Sequence, residues 1–161
     1  MSNVYKMFES DGTSEKDGVL LNYGDIRFLI ARAGGANRRF AEVFREKAKP
    51  FRYAIDHGQL NEDDSARLMA EVYAETVVLG WESVVRDKET DEVVLDGKGK
   101  PKIQKTIEGK DGKQMKFSVE NCTDLLADLP ELFRDIQQMA QRSEHFRKSE
   151  EAEDLGNLSE S

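Results

Sequence analysis

The chain has 161 residues, 38% hydrophobic and 35% charged, with a formal net charge of −8 and a single cysteine, Cys122. That length holds one compact domain with a hydrophobic core and leaves too little for a second. The acidic balance argues against sequence-independent binding to nucleic acid or to an anionic membrane, and a lone thiol excludes an internal disulfide. No window approaches the ~20 apolar residues needed to cross a bilayer. The start, Met1-Ser-Asn-Val-Tyr-Lys-Met-Phe8, lacks the cationic and long apolar stretches of a secretory signal. The expected location is the cytoplasm.

Taken in chain order, residues 9–18 are polar and glycine-bearing, and the expectation over 1–18 is a flexible arm. Val19, Leu21 and Tyr23 then alternate with Leu20 and Asn22, and Ile26, Phe28 and Ile30 alternate with Arg27 and Leu29. Two period-two runs joined by Gly24-Asp25 predict a β-hairpin. Such a hairpin is marginal alone, so it must lie against helices. Gly34-Gly35 ends the second strand, and Asn37 offers a helix N-cap. Phe40, Phe44, Ala48, Phe51 and Ile55 follow at helical spacing. Pro50 lacks an N–H and predicts a kink, or two short helices meeting there.

Asn61 caps the next helix, with Glu62, Asp63 and Asp64 in its first turn, where the helix dipole favours negative charge. Met69, Tyr73, Val77, Trp81 and Val84 form its stripe, which Leu68, Val72 and Leu79 widen. This helix is the expected centre of the core. Residues 86–117 lose the helical period, carry glycine turns at Gly97, Gly99, Gly109 and Gly112, and predict a small β excursion or loop. Helix resumes at Ser118, with Val119, Cys122, Leu125 and Leu126 on one face. Asp128-Leu-Pro-Glu131 reads as a capping box for the last helix, whose stripe is Leu132, Phe133, Ile136, Met139, Ala140 and Phe146. From residue 149 on, Glu150, Glu151, Glu153, Asp154 and Glu160 predict a disordered acidic tail. The fold class is therefore α+β and predominantly helical, with an N-terminal β-hairpin and four to five helices. The domain plan is an arm over 1–18, one globular domain over 19–148 and a tail over 149–161.

No reactive constellation assembles from these residues. His57 and His145 lack metal-ligand spacing, no Gly-x-Ser-x-Gly elbow occurs, and Cys122 reads as a buried apolar residue. Asp63-Asp64 belongs at a helix start for dipole reasons alone. Ala33-Gly-Gly-Ala36, with Arg38 and Arg39 following, is a place where an anion could sit, but two glycines also serve a sharp strand-to-helix connection. Residues 96–116 carry seven lysines against three acids. Without arginine or a stacking aromatic before Phe117, a solvated or protein-docking loop is the better reading than a nucleic-acid site. The expectation is a protein-binding protein with no catalytic residues, no cofactor and no metal.

Three stretches carry a family resemblance: Ile30-Ala-Arg-Ala-Gly-Gly-Ala-Asn-Arg-Arg-Phe40, Ala70-Glu-Val-Tyr-Ala-Glu-Thr-Val-Val-Leu-Gly-Trp-Glu82, and Phe117-Ser-Val-Glu-Asn121 followed by Asp128-Leu-Pro-Glu-Leu-Phe133. Together, over most of residues 19–157, they resemble the tail assembly chaperones of long-tailed bacteriophages. The resemblance implies a protein of the host cytoplasm that keeps the tape-measure protein soluble, helps recruit tail-tube subunits around it, and then leaves. Many members also exist as a longer frameshifted form. Phe133, Ile136, Met139 and Phe146 are the candidate partner-binding stripe, with ordinary core packing as the competing reading, the stronger one for Phe133 and Ile136. The alternative function is a structural virion component, such as a tail-tube, tail-terminator or connector subunit. A tube wall would call for a larger sheet than these few strand-like runs supply.

Overall fold

The computed structural model describes residues 4–5, 12–142 and 146. The tail assigned to 149–161 lies outside the described residues, as does most of the first half of the arm. The second half of that arm is corrected. Gly12–Asp17 form a short helix, α1, whose Glu15 is only 3% exposed. A charged residue makes the tertiary contact here, so an apolar pattern gave no sign of it.

The expected hairpin is present: β1 (Val19–Asn22) pairs antiparallel with β2 (Ile26–Ile30). Gly24, at φ +86°, makes the turn, and its N–H donates to Asn22 Oδ1 at 2.8 Å. Left-handed backbone of this kind is where glycine is favoured. After the Gly34-Gly35 connection comes α2 (Arg39–Ala48). A 3₁₀ turn over Lys49–Phe51 contains Pro50 and leads into α3 (Arg52–Asp56), the two-helix break that proline demanded. Asn37 is not the cap. Its Nδ2 donates to the carbonyls of Arg32 and Thr76, each at 2.8 Å, and so ties the connection to the next helix.

That helix, α4 (Glu62–Thr76), is capped by Asn61, whose Oδ1 accepts from the Asp64 N–H at 2.7 Å. It stops earlier than its stripe suggested. Val78–Val84 is a strand, β3, so Trp81 and Val84 are sheet residues and not helical ones. The valines and Gly80 weaken helix here, and the extended chain gains ladders to β2 on one side and β4 (Ile103–Gln104) on the other. The misleading period has a geometric source. Leu29 opposes Gly80 while Ile30 opposes Val78, so Leu79 is an extra residue in the ladder. This bulge lets Val78 and Trp81, three apart, both be buried.

The sheet order is β1-β2-β3-β4, and β5 (Thr106–Glu108) and β6 (Gln114–Lys116) form a separate hairpin. These strands and the bridges Arg86↔Val93 and Leu95↔Pro101 make up the β excursion expected over 86–117. Then come α5 (Val119–Asp128), capped by Ser118 Oγ on the Asn121 N–H, and α6 (Pro130–Gln141). The capping box is not formed. Asp128 ends α5, and Leu129 alone separates it from Pro130 at the start of α6, with no side-chain cap. The architecture is α+β and predominantly helical.

One face of the sheet carries Leu21, Phe28, Ile30, Val78 and Trp81 and packs on α4, α5 and α6. Tyr73 is fully buried at the centre. Its ring meets Phe40 and Phe133 edge-on at 5.6 and 5.2 Å, and its hydroxyl accepts from Gln141 Nε2 at 3.3 Å. Aromatic pairs in this geometry add stability beyond their buried area.

Candidate partner-binding groove

Of the candidate stripe, Phe133 and Ile136 take the core-packing reading that the sequence favoured for them, and Phe146 is buried as well. Ile136 and Phe146 are fully buried, Phe133 is 8% exposed, and Met139 is partly buried at a small cleft beside Leu20, Leu21 and Tyr23. A stripe packed under the sheet cannot receive a helix without opening the core. Sequence periodicity finds apolar faces and does not say which neighbour fills them.

The other candidates also find structural roles. His57 is exposed, stacks on Tyr53 at 4.1 Å, and places Nδ1 2.8 Å from the Tyr53 carbonyl; His145 lies outside the described residues. Cys122 is buried, and burial pushes its thiol up to about 12. Asp63 and Asp64 occupy the first turn of α4. The glycine connection does hold an anion, but the anion is the protein's own. Glu15 Oε2 accepts from the Ala36 N–H at 2.9 Å and from Arg32 Nη1 at 3.0 Å. A Cβ on Gly35 would overlap that carboxylate. Among the described residues, no group of histidine, cysteine and acidic side chains could hold a metal ion, and no helix is long and apolar enough to cross a membrane.

One open feature among the described residues is a groove of about 790 Å³ between the β5–β6 hairpin and the α5–α6 corner. The hairpin is fixed from beneath. Trp81 Nε1 donates to the Met115 carbonyl at 3.0 Å, and Ser83 Oγ donates to the Thr106 carbonyl at 2.5 Å. Phe117 packs edge-on against Trp81 at 5.1 Å. Asn121 Nδ2 reaches back to the Lys116 carbonyl at 3.0 Å and sets the start of α5 against β6.

The floor of the groove is apolar. Met115 and Leu125 are partly buried against the main core, and Leu129 at the helix corner is 47% exposed. The walls differ in charge. The hairpin side carries Lys110, Lys113 and Lys116, with Glu108 and Asp111 among them, while the helix side carries Asp124 and Asp128. Lys110 Nζ bridges the walls to Asp128 Oδ2 at 3.3 Å, and Asp124 is held by Arg67 Nη1 at 3.4 Å. Exposed pairs of this kind contribute little to stability and part readily. A shallow apolar floor between charged walls suits an amphipathic segment with two or three apolar anchors. The sequence did carry a signal for it: Met115 interrupts a polar lysine-rich hairpin, and Leu129 stands alone between two helix ends.

A family model described as YdaY prophage protein matches residues 103–157. The match spans about a third of the chain and covers β4, the β5–β6 hairpin, α5 and α6, and so every residue that lines the groove. No curated protein and no solved structure matches the chain. The likeness to a prophage protein family marks this as a bacteriophage protein.

Proposed function

We propose that this protein is a tail assembly chaperone that acts in the host cytoplasm, binds the tape-measure protein and helps recruit tail-tube subunits around it. The observation that carries this reading is the apolar-floored groove over Met115, Leu125 and Leu129, set wholly within the segment that resembles a prophage family. A tape-measure protein is long, helical and apolar, and an amphipathic stretch of it would lay its apolar face on that floor. Its charged flanks would meet lysines on one wall and carboxylates on the other. A groove this small buries modest area, which keeps the complex displaceable by tube subunits. The surplus negative charge of the chain keeps such a complex in solution.

The test is co-expression with the tape-measure protein of the same phage, combined with mass spectrometry of washed virions. Soluble tape-measure protein should rise in the presence of this chain, and the chain should be missing from particles. Many copies per virion would overturn the reading in favour of a structural tail subunit. Equal solubility of the tape-measure protein alone would remove it as the partner.

A further inference from the structure

The β5–β6 hairpin is a two-stranded sheet, and among the described residues no strand pairs with the outer side of β6. The alternation of its ladder shows which groups face that side. The Gly109 N–H donates to the Lys113 carbonyl at 2.9 Å, so these two form a hydrogen-bonded pair. In an antiparallel ladder such pairs alternate with non-bonded ones. With the register Glu108↔Gln114, Ile107↔Met115 and Thr106↔Lys116, the next bonded pair is Ile107–Met115. Gln114 and Lys116 therefore turn their N–H and C=O groups away from β5. Two contacts agree. The Thr106 carbonyl points away from β6 and accepts from Ser83 Oγ on β3, and the Lys116 carbonyl accepts from Asn121 Nδ2 on α5 at 3.0 Å.

The second contact also gives the direction of the open edge, which looks toward α5 and so into the groove. Asn121 closes the groove at the Lys116 end. Asp124, Leu125, Asp128 and Leu129 continue the helix side from there, opposite Gln114 and the hairpin turn. The Gln114 N–H and carbonyl and the Lys116 N–H are left as unused ladder groups. An edge of this kind is a template for another strand. An extended segment added to it gains affinity from main-chain hydrogen bonds and specificity from alternate side chains.

The side chains of β6 set the pattern of that segment. Met115 is partly buried on the apolar floor, whereas Gln114 and Lys116 are exposed. Residues directly opposite each other across a ladder share a face of the sheet. A residue opposite Met115 thus drops onto the floor that Leu125 completes, and a carboxylate opposite Lys116 meets an ammonium, with Lys110 and Lys113 on the same wall. We propose that the groove holds its partner as an added strand, an extended segment of alternating apolar and acidic residues paired with the outer edge of β6. This rests on the groove being the docking site. A client segment held extended is kept out of helical pairing until it is released.

The experiment titrates the full chain with a short synthetic peptide of alternating leucine and glutamate, and with an isomer of the same composition whose leucines stand at helical spacing. With the alternating peptide, the amide resonances of Gln114 and Lys116 should shift and their exchange with solvent should slow. Methylating the peptide's backbone nitrogens at alternate residues gives two sets, because the N–H groups of a strand point to opposite sides by turns. One set should weaken binding about tenfold or more, and the other should leave it nearly unchanged. Loss in both sets, or in neither, would overturn the strand pairing. So would tighter binding of the helically spaced isomer at residues 114–129, which would keep the groove as the docking site. No shift at these residues with either peptide would remove the groove reading as well. Concentration-dependent shifts at Gln114 in the peptide-free chain would put a second copy on the edge, and would overturn the proposal too.

Discussion

The indole N–H of Trp81 donates to the Met115 carbonyl at 3.0 Å, and this bond joins the central strand of the sheet to the hairpin that walls the groove. Trp81 is 4% exposed and also meets Phe28 edge-on at 6.3 Å and Phe117 at 5.1 Å. Trp81→Ala should therefore cost about 3–5 kcal/mol through lost burial and a cavity. Trp81→Phe keeps much of the packing and should lose less, about 1–3 kcal/mol, chiefly from the unpaired carbonyl. Denaturant melts of the three proteins give the order. A Trp81→Ala protein that melts within a degree or two of its parent would contradict the burial.

Glu15 and Gly35 should act through one contact. Glu15→Ala removes the acceptor for the Ala36 N–H and the partner of Arg32, leaving a part-buried guanidinium short of its carboxylate. The expected cost is about 1–3 kcal/mol. Gly35→Ala reaches the same end from the other side. Gly35 sits at φ +56°, and its new Cβ would push the carboxylate away. Because both variants break the same contact, the double variant should cost clearly less than the sum of the singles. Additive losses in urea unfolding would show two independent effects.

The parts of this fold that sequence revealed are those where local chemistry and tertiary demand agree. The β1–β2 hairpin, the Asn61 cap and the break at Pro50 all follow from the alternation, capping and backbone limits of their own residues. The misreadings share a different cause. Val78–Val84 looked helical because the Leu79 bulge mimics a three-residue step, and only the pairing with β2 exposes it. Asn37 has the right residue type for a cap, yet its side chain is claimed by the carbonyls of Arg32 and of Thr76, the latter 39 residues away. For the site, the apolar stripe of α6 and the burial of Phe133 and Ile136 were legible, while the burial of Phe146 was left open. The groove itself needs two distant segments brought together, which no single-segment pattern contains.

Stability should fall on the alkaline side. Burial, with the Asp135 hydrogen bond second, pushes Tyr23 from 10.0 up to about 12. Burial also raises Tyr73, with Gln141 opposing, and lifts Cys122 from 9.0 to about 12. In each case the folded state holds the proton more tightly than the unfolded chain. The contribution is therefore fully present below the unfolded values and is lost as pH rises through the folded ones. Melting temperature should hold near neutral pH and drop between about pH 9 and 12. Tyr23→Phe and Cys122→Ala each delete one of these groups, so each should flatten that decline. An unchanged alkaline limb in both variants would mean that neither group titrates differently on folding.

Leu129 separates binding at the groove from folding. It is 47% exposed, it lines the groove, and it occupies the N-cap position of α6 with no side-chain cap. Leu129→Asp puts a charge on the apolar floor beside Leu125 and Met115, yet supplies a residue type favoured at helix starts. Stability should therefore stay within about 0.5 kcal/mol of the parent or rise slightly. Affinity for an amphipathic tape-measure segment should fall about tenfold or more, because one lost apolar anchor and one desolvated carboxylate together exceed ~1.4 kcal/mol. Calorimetric titration of both proteins with the same segment, alongside their melts, reads the two effects separately. Equal affinity with equal stability would move the partner away from this groove. Weaker binding accompanied by a collapsed melting temperature would mean that Leu129 serves the fold, and that the groove has yet to be tested by a residue it can spare.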